Sequence, residues 1–238
     1  MILVIITALL PALILGWWIY RKDSARPEPL KQLILAFCYG VGSVFVSLLI
    51  TGVMAAAGIL VVDLETFTGA VSTALLAAAV PEELAKLAML WLFLRKCRYY
   101  DEYLDGIVYA ACVGLGFAAA ENVLYLLKSE NWMAVGIARG LTAVPAHFAM
   151  ACAMGYFYSK RHFGDRSKVT AACVIGVPIV IHWTWDALAF SGGVLPALSV
   201  VVSILFIVLV YYLYKSTVRR VNDLARQDNE RMTPPPLP

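Results

Sequence analysis

Residues 77–90 read AAAVPEELAKLAML, an apolar run that holds two adjacent glutamates, Glu82 and Glu83, and a lysine, Lys86. The rest of the chain says what kind of run this is. Of 238 residues, 61% are hydrophobic and only 15% are charged. Mean hydropathy is +0.78, far above that of a water-soluble globular chain. Apolar stretches of about twenty residues recur, the length at which a helix crosses the hydrocarbon core of a bilayer. The chain therefore reads as an all-α, polytopic membrane protein, and 77–90 lies inside one of its spans.

Seven spans are expected, at 2–20, 33–60, 68–94, 104–127, 132–158, 169–190 and 194–214. They form one transmembrane helical domain over 1–218, with a functional core at about 68–190. A cytoplasmic tail, 219–238, which ends in a proline-rich segment, follows and is expected to be disordered. The first span has no basic residues before it, and Arg21 and Lys22 come after it, so it reads as a retained helix rather than a cleaved signal. Sixteen of the nineteen lysines and arginines fall in 21–31, 95–98, 160–168 and the C-terminal stretch from Lys215 onward, which are alternate connections. The connections between them carry few basic residues. The positive-inside rule then places the N-terminus outside and the C-terminus in the cytoplasm.

Composition also excludes classes. A net charge of +3 with no basic patch gives no nucleic-acid surface. The five cysteines are scattered with no CxxC pair, so neither a disulfide framework nor a zinc knuckle is expected. Ala110, Gly114 and Ala118 repeat at four-residue spacing and predict a close helix–helix contact in the fourth span.

The decisive residues are the charged ones left inside the spans: Glu82, Glu83, Lys86, Glu121, Arg139 and Asp186, joined by His147 and His182. A charge at the bilayer centre costs roughly 2.5–3.5 kcal/mol on an insertion scale. So many such groups are expected to meet in one paired or hydrated site. Helical spacing permits it. Lys86 follows Glu83 by three residues and Glu82 by four. Phe117, Glu121 and Tyr125 share a face, as do Arg139, Ala143 and His147, with Pro145 expected to bend that helix. Pro178, His182 and Asp186 share another, while Trp183 and Trp185 point toward lipid or neighbouring helices. Alone, each group has a structural explanation: an ion pair for Glu82 and Lys86, a packing role for His147, a counter-charge for Arg139. Those explanations do not account for all of them falling on four consecutive helices.

Four motifs in order resemble the PrsW intramembrane proteases. Glu82-Glu83-Leu84-Ala85-Lys86 is similar to their EExxK, and Phe117-Ala118-Ala119-Ala120-Glu121-Asn122 to their FxxxEN. His147 stands where their third motif has its histidine, and His182 through Asp186 resembles their HxxxD. The resemblance implies a bacterial plasma-membrane peptidase, distantly related to the CAAX-processing proteases. In those relatives the glutamate pair is followed by xxR, and a histidine usually stands at the position of Glu121. The family's best-known role implies cleavage of a single-span anti-sigma factor on its extracytoplasmic side.

The residues support such chemistry directly. Peptide hydrolysis needs an activated water, donors for the oxyanion and an acid for the leaving amine. Two adjacent carboxylates in a low-dielectric site do not both ionise easily, so one keeps its proton and the other, steadied by Lys86, serves as the base. The sequence leaves open which of Glu82 and Glu83 that is. His147 and His182 are oxyanion donors or metal ligands, Asp186 holds the tautomer of His182, Glu121 is a third ligand or second acid, and Asn122 a donor to substrate. No HExxH motif is present. A metal-free glutamate mechanism is the leading expectation. The alternative is Zn2+ on His147, His182 and a glutamate, Glu121 foremost. The expected partners are a single-span membrane substrate and the lipid bilayer. The competing functions are a proton- or ion-coupled transporter, against which the lack of an internal repeat speaks, and a non-catalytic membrane scaffold or receptor.

Overall fold

A computed structural model describes residues 1–23, 26–194 and 199–232, and among them every regular element is helical. The helices are α1 (Ile2–Lys22), α2 (Leu30–Ala56), α3 (Phe67–Thr73), α4 (Val80–Leu94), α5 (Tyr103–Lys128), α6 (Trp132–Leu141), α7 (Ala143–Phe163), α8 (Lys168–Val194) and α9 (Ser199–Met232). A π-helical segment, Ala74–Ala79, joins α3 to α4 without a break. Six stretches are long and apolar enough to cross a membrane: α1, α2, α5, α6 with α7, α8, and Val200–Asp223 of α9. The seventh expected span is the run 67–94, which the π segment divides into shorter pieces. The chain is a multi-pass membrane protein, and its apolar outer faces, such as Phe45, Leu48 and Leu49 on α2 and Leu10, Leu13 and Trp17 on α1, suit a lipid solvent.

At the centre stands α5, buried on every side from Leu104 to Ala119. Helices in lipid gain little from hiding apolar surface, so close packing through small residues holds them together. A Cβ added at Gly116 would come 2.1 Å from the Phe37 carbonyl oxygen, and one at Gly40 would come 2.0 Å from that of Val113. The α2 and α5 backbones are therefore in direct contact. A Cβ on Gly114 would sit 2.4 Å from that of Ala151, which is the close contact expected from the Ala110, Gly114, Ala118 register. α1 packs on the other flank of α5 through the buried Ala8, Ala12 and Ile19.

Two irregularities depart from the expected spans. The bend assigned to Pro145 is a full break at Thr142, which separates α6 from α7. Proline cannot bond back to residue 141 and its ring crowds that carbonyl, so the helix restarts with Pro145 in its first turn. The hydroxyl of Thr142 donates to the Ala138 carbonyl at 2.8 Å and closes the end of α6. The last helix was expected to end at 214 and the tail from 219 to be disordered, but the helix runs to Met232, so 219–232 is helical. No glycine or proline interrupts 199–232, and Arg219 and Asp223 face each other one turn apart at 4.0 Å. Residues 195–198 of that span and the proline-rich end, 233–238, lie outside the described residues.

All five cysteines are free thiols, as expected. On the face bearing the basic connections, Asp23, Glu28 and Asp105 are buried together. The Glu28 amide donates to Asp23 Oδ2 at 3.1 Å, and the Tyr109 hydroxyl donates to Glu28 Oε2. Burial first, and the neighbouring carboxylates after it, push the Glu28 carboxyl up to about 8 against the hydrogen bond from Tyr109.

Candidate active site

The glutamate pair owes its placement to Pro81. A proline at that position removes the amide that would bond back to Ala77, and the preceding turns widen into the π segment, where the Val80 amide bonds to Leu75 five residues back. One extra residue in a turn rotates everything downstream by about 100°. The rotated face carries Glu83 and Lys86, which are 0% and 1% exposed. α8 packs along the π segment, and the Trp183 indole donates to the Val71 carbonyl at 2.9 Å. Both flanking tryptophans meet helices: Trp183 meets α3, and Trp185 lies against Phe206 of α9.

Lys86 is the hub. Its Nζ lies 2.8 Å from Glu83 Oε1, 3.6 Å from Glu82 Oε2 and 3.0 Å from His147 Nδ1, and 4.0 Å above the Phe117 ring. A buried ammonium is tolerable only with such a set of partners. It has donors and no acceptor, so Nδ1 of His147 accepts and the ring proton sits on Nε2. That nitrogen faces Glu121 Oε2 at 3.0 Å.

His182 holds the other side. Its Nδ1 is 2.8 Å from Glu83 Oε1, and its Nε2 is 3.2 Å from Asp186 Oδ2 and 3.7 Å from Glu82 Oε2. Asp186 does reach the ring one turn away. The carboxylate on the opposite nitrogen, which fixes the ring's direction, is Glu83. Glu83 thus accepts from both Lys86 and His182 through one oxygen. The two adjacent glutamates are not equivalent, a distinction the sequence left open.

Glu121 forms the outer wall with Arg139. Arg139 donates to Glu121 Oε2 at 2.6 Å and to Asn122 Oδ1 at 2.8 Å, and lies 3.8 Å above the Tyr125 ring. This is the counter-charge arrangement. Asn122 departs from its expected role as a donor to substrate: it is fully buried, and its amide nitrogen turns to the Ala8 carbonyl on α1 at 3.4 Å. Both ends of its amide tie helices together. Glu82, Glu121 and Arg139 keep 13%, 16% and 15% of their side chains exposed, while Lys86, His147 and His182 are closed off. The site therefore opens on the Glu82–Glu121 side.

All the charged and histidine residues singled out in the sequence thus meet in one cluster, drawn from α4, α5, α6, α7 and α8. The π segment and the Arg139–Tyr125 stack were not anticipated; the only sequence signal for the first is a proline directly after an alanine-rich run.

The donor set fits a divalent cation. Glu82, His147 and His182 each offer one ligand atom, all within 4.8 Å of one another. Glu82 Oε2 and Glu83 Oε2 are buried without a hydrogen-bond partner among the described residues. Two imidazoles and a carboxylate are a catalytic zinc set that leaves one position for water. The grouped carboxylate is Glu82, whereas the sequence put Glu121 foremost; Glu121 is engaged by Arg139 instead.

Comparison with known proteins covers the stretch of chain that holds this cluster. A family model described as "PrsW family intramembrane metalloprotease" matches residues 28–213. The chain is 34% identical to Protease PrsW of Geobacillus kaustophilus over 184 residues, 76% of this chain and 77% of that protein. It is 32% identical to Protease PrsW of Clostridioides difficile over 184 residues, 75% and 76% of the two chains. Against Protease PrsW of Bacillus subtilis the figures are 29% over 188 residues, 78% and 82%. No solved structure matches. The family's description fits the metal alternative rather than the metal-free expectation.

Proposed function

The chain belongs to the PrsW family of intramembrane metalloproteases, and from that membership and the geometry around Glu82 we propose that it hydrolyses a peptide bond of a single-span membrane protein at this site. That it is a peptidase follows from the family. The residue roles, the substrate and the metal are our inference. One observation carries the assignment: Glu82 Oε2 is buried without a hydrogen-bond partner among the described residues, 3.6 Å from Lys86 Nζ and 3.7 Å from a ring nitrogen of His182, in the residue on the side where the cluster opens.

Glu82 is the carboxylate we assign to the reacting water. One of its oxygens takes the proton and returns it to the leaving amine. Glu83 is a positioning residue, holding Lys86 and His182 through one oxygen. With no ion bound, Lys86 fixes His147 with its proton on Nε2, toward Glu121 and the open side, where it would donate to the developing oxyanion. Arg139 keeps Glu121 in place against that proton. The two histidines and one oxygen of Glu82 would hold the divalent ion that the family's description implies, with zinc favoured by the donor set; His147 would then give up its Nε2 proton and its donor role, the other Glu82 oxygen would stay with the water, and the bound ion would supply a polarised carbonyl and a more acidic water.

The substrate class follows from access. The cluster is enclosed by the helices of a multi-pass membrane protein and keeps partial exposure only at Glu82, Glu121 and Arg139, which favours a membrane-resident chain as substrate. The family resemblance implies an anti-sigma factor. The family assignment stands against the ion-coupled transporter and the non-catalytic scaffold. We further infer that the N-terminus lies outside, which directs the open side to the extracytoplasmic half. The test is to profile which single-span proteins accumulate uncleaved when the chain is replaced by its Glu82→Gln form. Accumulation of one or a few such proteins, with product fragments lost, is expected. Unchanged membrane protein profiles under both forms would refute the proposal.

A further inference from the structure

The end of the membrane-crossing stretch of α9, on the basic face, carries a cleft that the catalytic cluster does not use. An open surface hollow of about 530 Å³ is lined by the α9 side chains Tyr212, Lys215, Ser216, Arg219, Arg220 and Asp223. It shares Ser216 and Arg220 with a second cleft of about 360 Å³, walled by apolar side chains such as Ile107, Ala153, Phe157, Val177 and Leu213. This second cleft runs between α9 and the α5, α7 and α8 helices and reaches Ala149 and Ile181. From Arg220 to Leu213 it follows seven residues of helix, about 10 Å of rise. That is most of one leaflet's hydrocarbon depth, about 15 Å.

The charges are unbalanced. Arg219 faces Asp223 at 4.0 Å. Arg220 lies 5.2 Å from the Tyr156 ring centre and Lys215 lies 5.8 Å from that of Tyr211. Neither of these two has a carboxylate partner among the described residues. Two uncompensated cations and two hydroxyl-bearing side chains, Ser216 and Thr217, thus rim an apolar slot where a spanning helix leaves the bilayer.

We propose that this double cleft binds one anionic phospholipid, with its phosphate on Lys215 and Arg220 and one acyl chain in the slot beneath. A free phosphate has no use for the apolar slot, and an uncharged or zwitterionic lipid has no use for a surplus of two cations. Only an anionic amphiphile matches both halves at once. Basic side chains at a membrane surface attract anionic headgroups, and the effect here is focused by a fixed chain position. The bound chain fills the space between α9 and the helices that carry His147 and His182, so lipid occupancy braces the bundle beside the active site. The inference is independent of the catalytic roles assigned above.

The test uses the full chain, purified and delipidated in mild detergent. Phosphatidylglycerol and phosphatidylcholine with identical chains are titrated while thermal unfolding is followed, and intact complexes are weighed by native mass spectrometry. The expected result is a saturable rise in the unfolding midpoint and a one-to-one adduct with phosphatidylglycerol alone. Lys215→Ala and Arg220→Ala should each weaken binding about fivefold, the scale of one basic side chain at an anionic surface. Ala153→Phe, which fills the slot and keeps the cations, should weaken it as well. Equal response to both lipids, or phosphatidylglycerol binding unchanged in the variants, would overturn the proposal. So would inorganic phosphate alone reproducing the stabilisation, which would mark an anion site without a chain. If the cation variants do not fold, the wild-type lipid comparison and Ala153→Phe still decide.

Discussion

Lys86 Nζ lies 3.0 Å from Nδ1 of His147, a contact made across 61 residues of sequence. It ties the glutamate pair of α4 to the histidine of α7, and it decides which nitrogen of His147 holds the proton. The same ammonium is 2.8 Å from Glu83. A single buried cation therefore positions a carboxylate and a histidine at once.

Removing that cation alone should be costly. Lys86→Met leaves Glu83 charged, buried and without its main partner, a loss of about 3–5 kcal/mol by analogy with other broken buried pairs. Adding Glu83→Gln removes the stranded charge, so the double variant should recover most of the stability but not the activity. Chemical unfolding in detergent measures the first and peptide cleavage the second. A double variant no more stable than Lys86→Met would show that the pair is not the source of the cost.

The metal assignment predicts retention of about one zinc per chain after purification. His147→Ala and His182→Ala should each abolish retention while the helical content stays at the wild-type level. Glu121→Gln should keep the metal, because Arg139 rather than an ion accounts for that carboxylate. Elemental analysis of the purified variants is the check. Zinc held equally well by both histidine variants would move the ion elsewhere, and a chain that works fully after verified stripping would remove it from the reaction.

Much of this site is visible in the sequence because it is local. Glu83 to Lys86 and His182 to Asp186 are three and four residues apart, and a helix puts such pairs together whatever else the chain does. The all-helical, multi-pass character follows in the same way from twenty-residue apolar runs. What lies between helices is not visible. Nothing local says that Asn122 turns toward Ala8, or that Glu83 rather than Asp186 holds Nδ1 of His182. The π segment is hidden because a run of alanine and leucine carries no polar periodicity from which an inserted residue can be read. Pro145 marks the fault between α6 and α7, but the break falls three residues earlier, where its ring acts.

Orientation is open to direct measurement. In a background lacking the five native cysteines, Leu64→Cys should react with a membrane-impermeant thiol reagent in intact cells, and Arg166→Cys should not. Both positions lie in connections between helices. The reverse pattern would invert the bundle and turn the Glu82–Glu121 opening to the cytoplasm.

Glu28 gives a pH dependence unrelated to catalysis. Its carboxyl keeps its proton to about 8 in the fold against an ordinary value of 4.5. The folded state therefore binds more protons at this group in that window, and its contribution to stability is fully present below 4.5 and is lost as pH rises through about 8. Asp23, Asp105 and Tyr109 face the group. Glu28→Gln should flatten the fall in unfolding midpoint over the same window. A slope identical to wild type would show that the cluster is not its source.

The central claim is that Glu82 activates the water that cuts a membrane-embedded peptide. Its most direct test is a cleavage rate in proteoliposomes that hold the full chain and one single-span substrate, with products identified by mass. Glu82→Gln preserves size and removes the charge, and the rate should fall by at least two orders of magnitude, the scale of general-base catalysis. Glu83→Gln, which keeps an acceptor for Lys86 and His182, should lose less, about tenfold to a hundredfold. Full cleavage by Glu82→Gln, with products identical to wild type, would contradict the account.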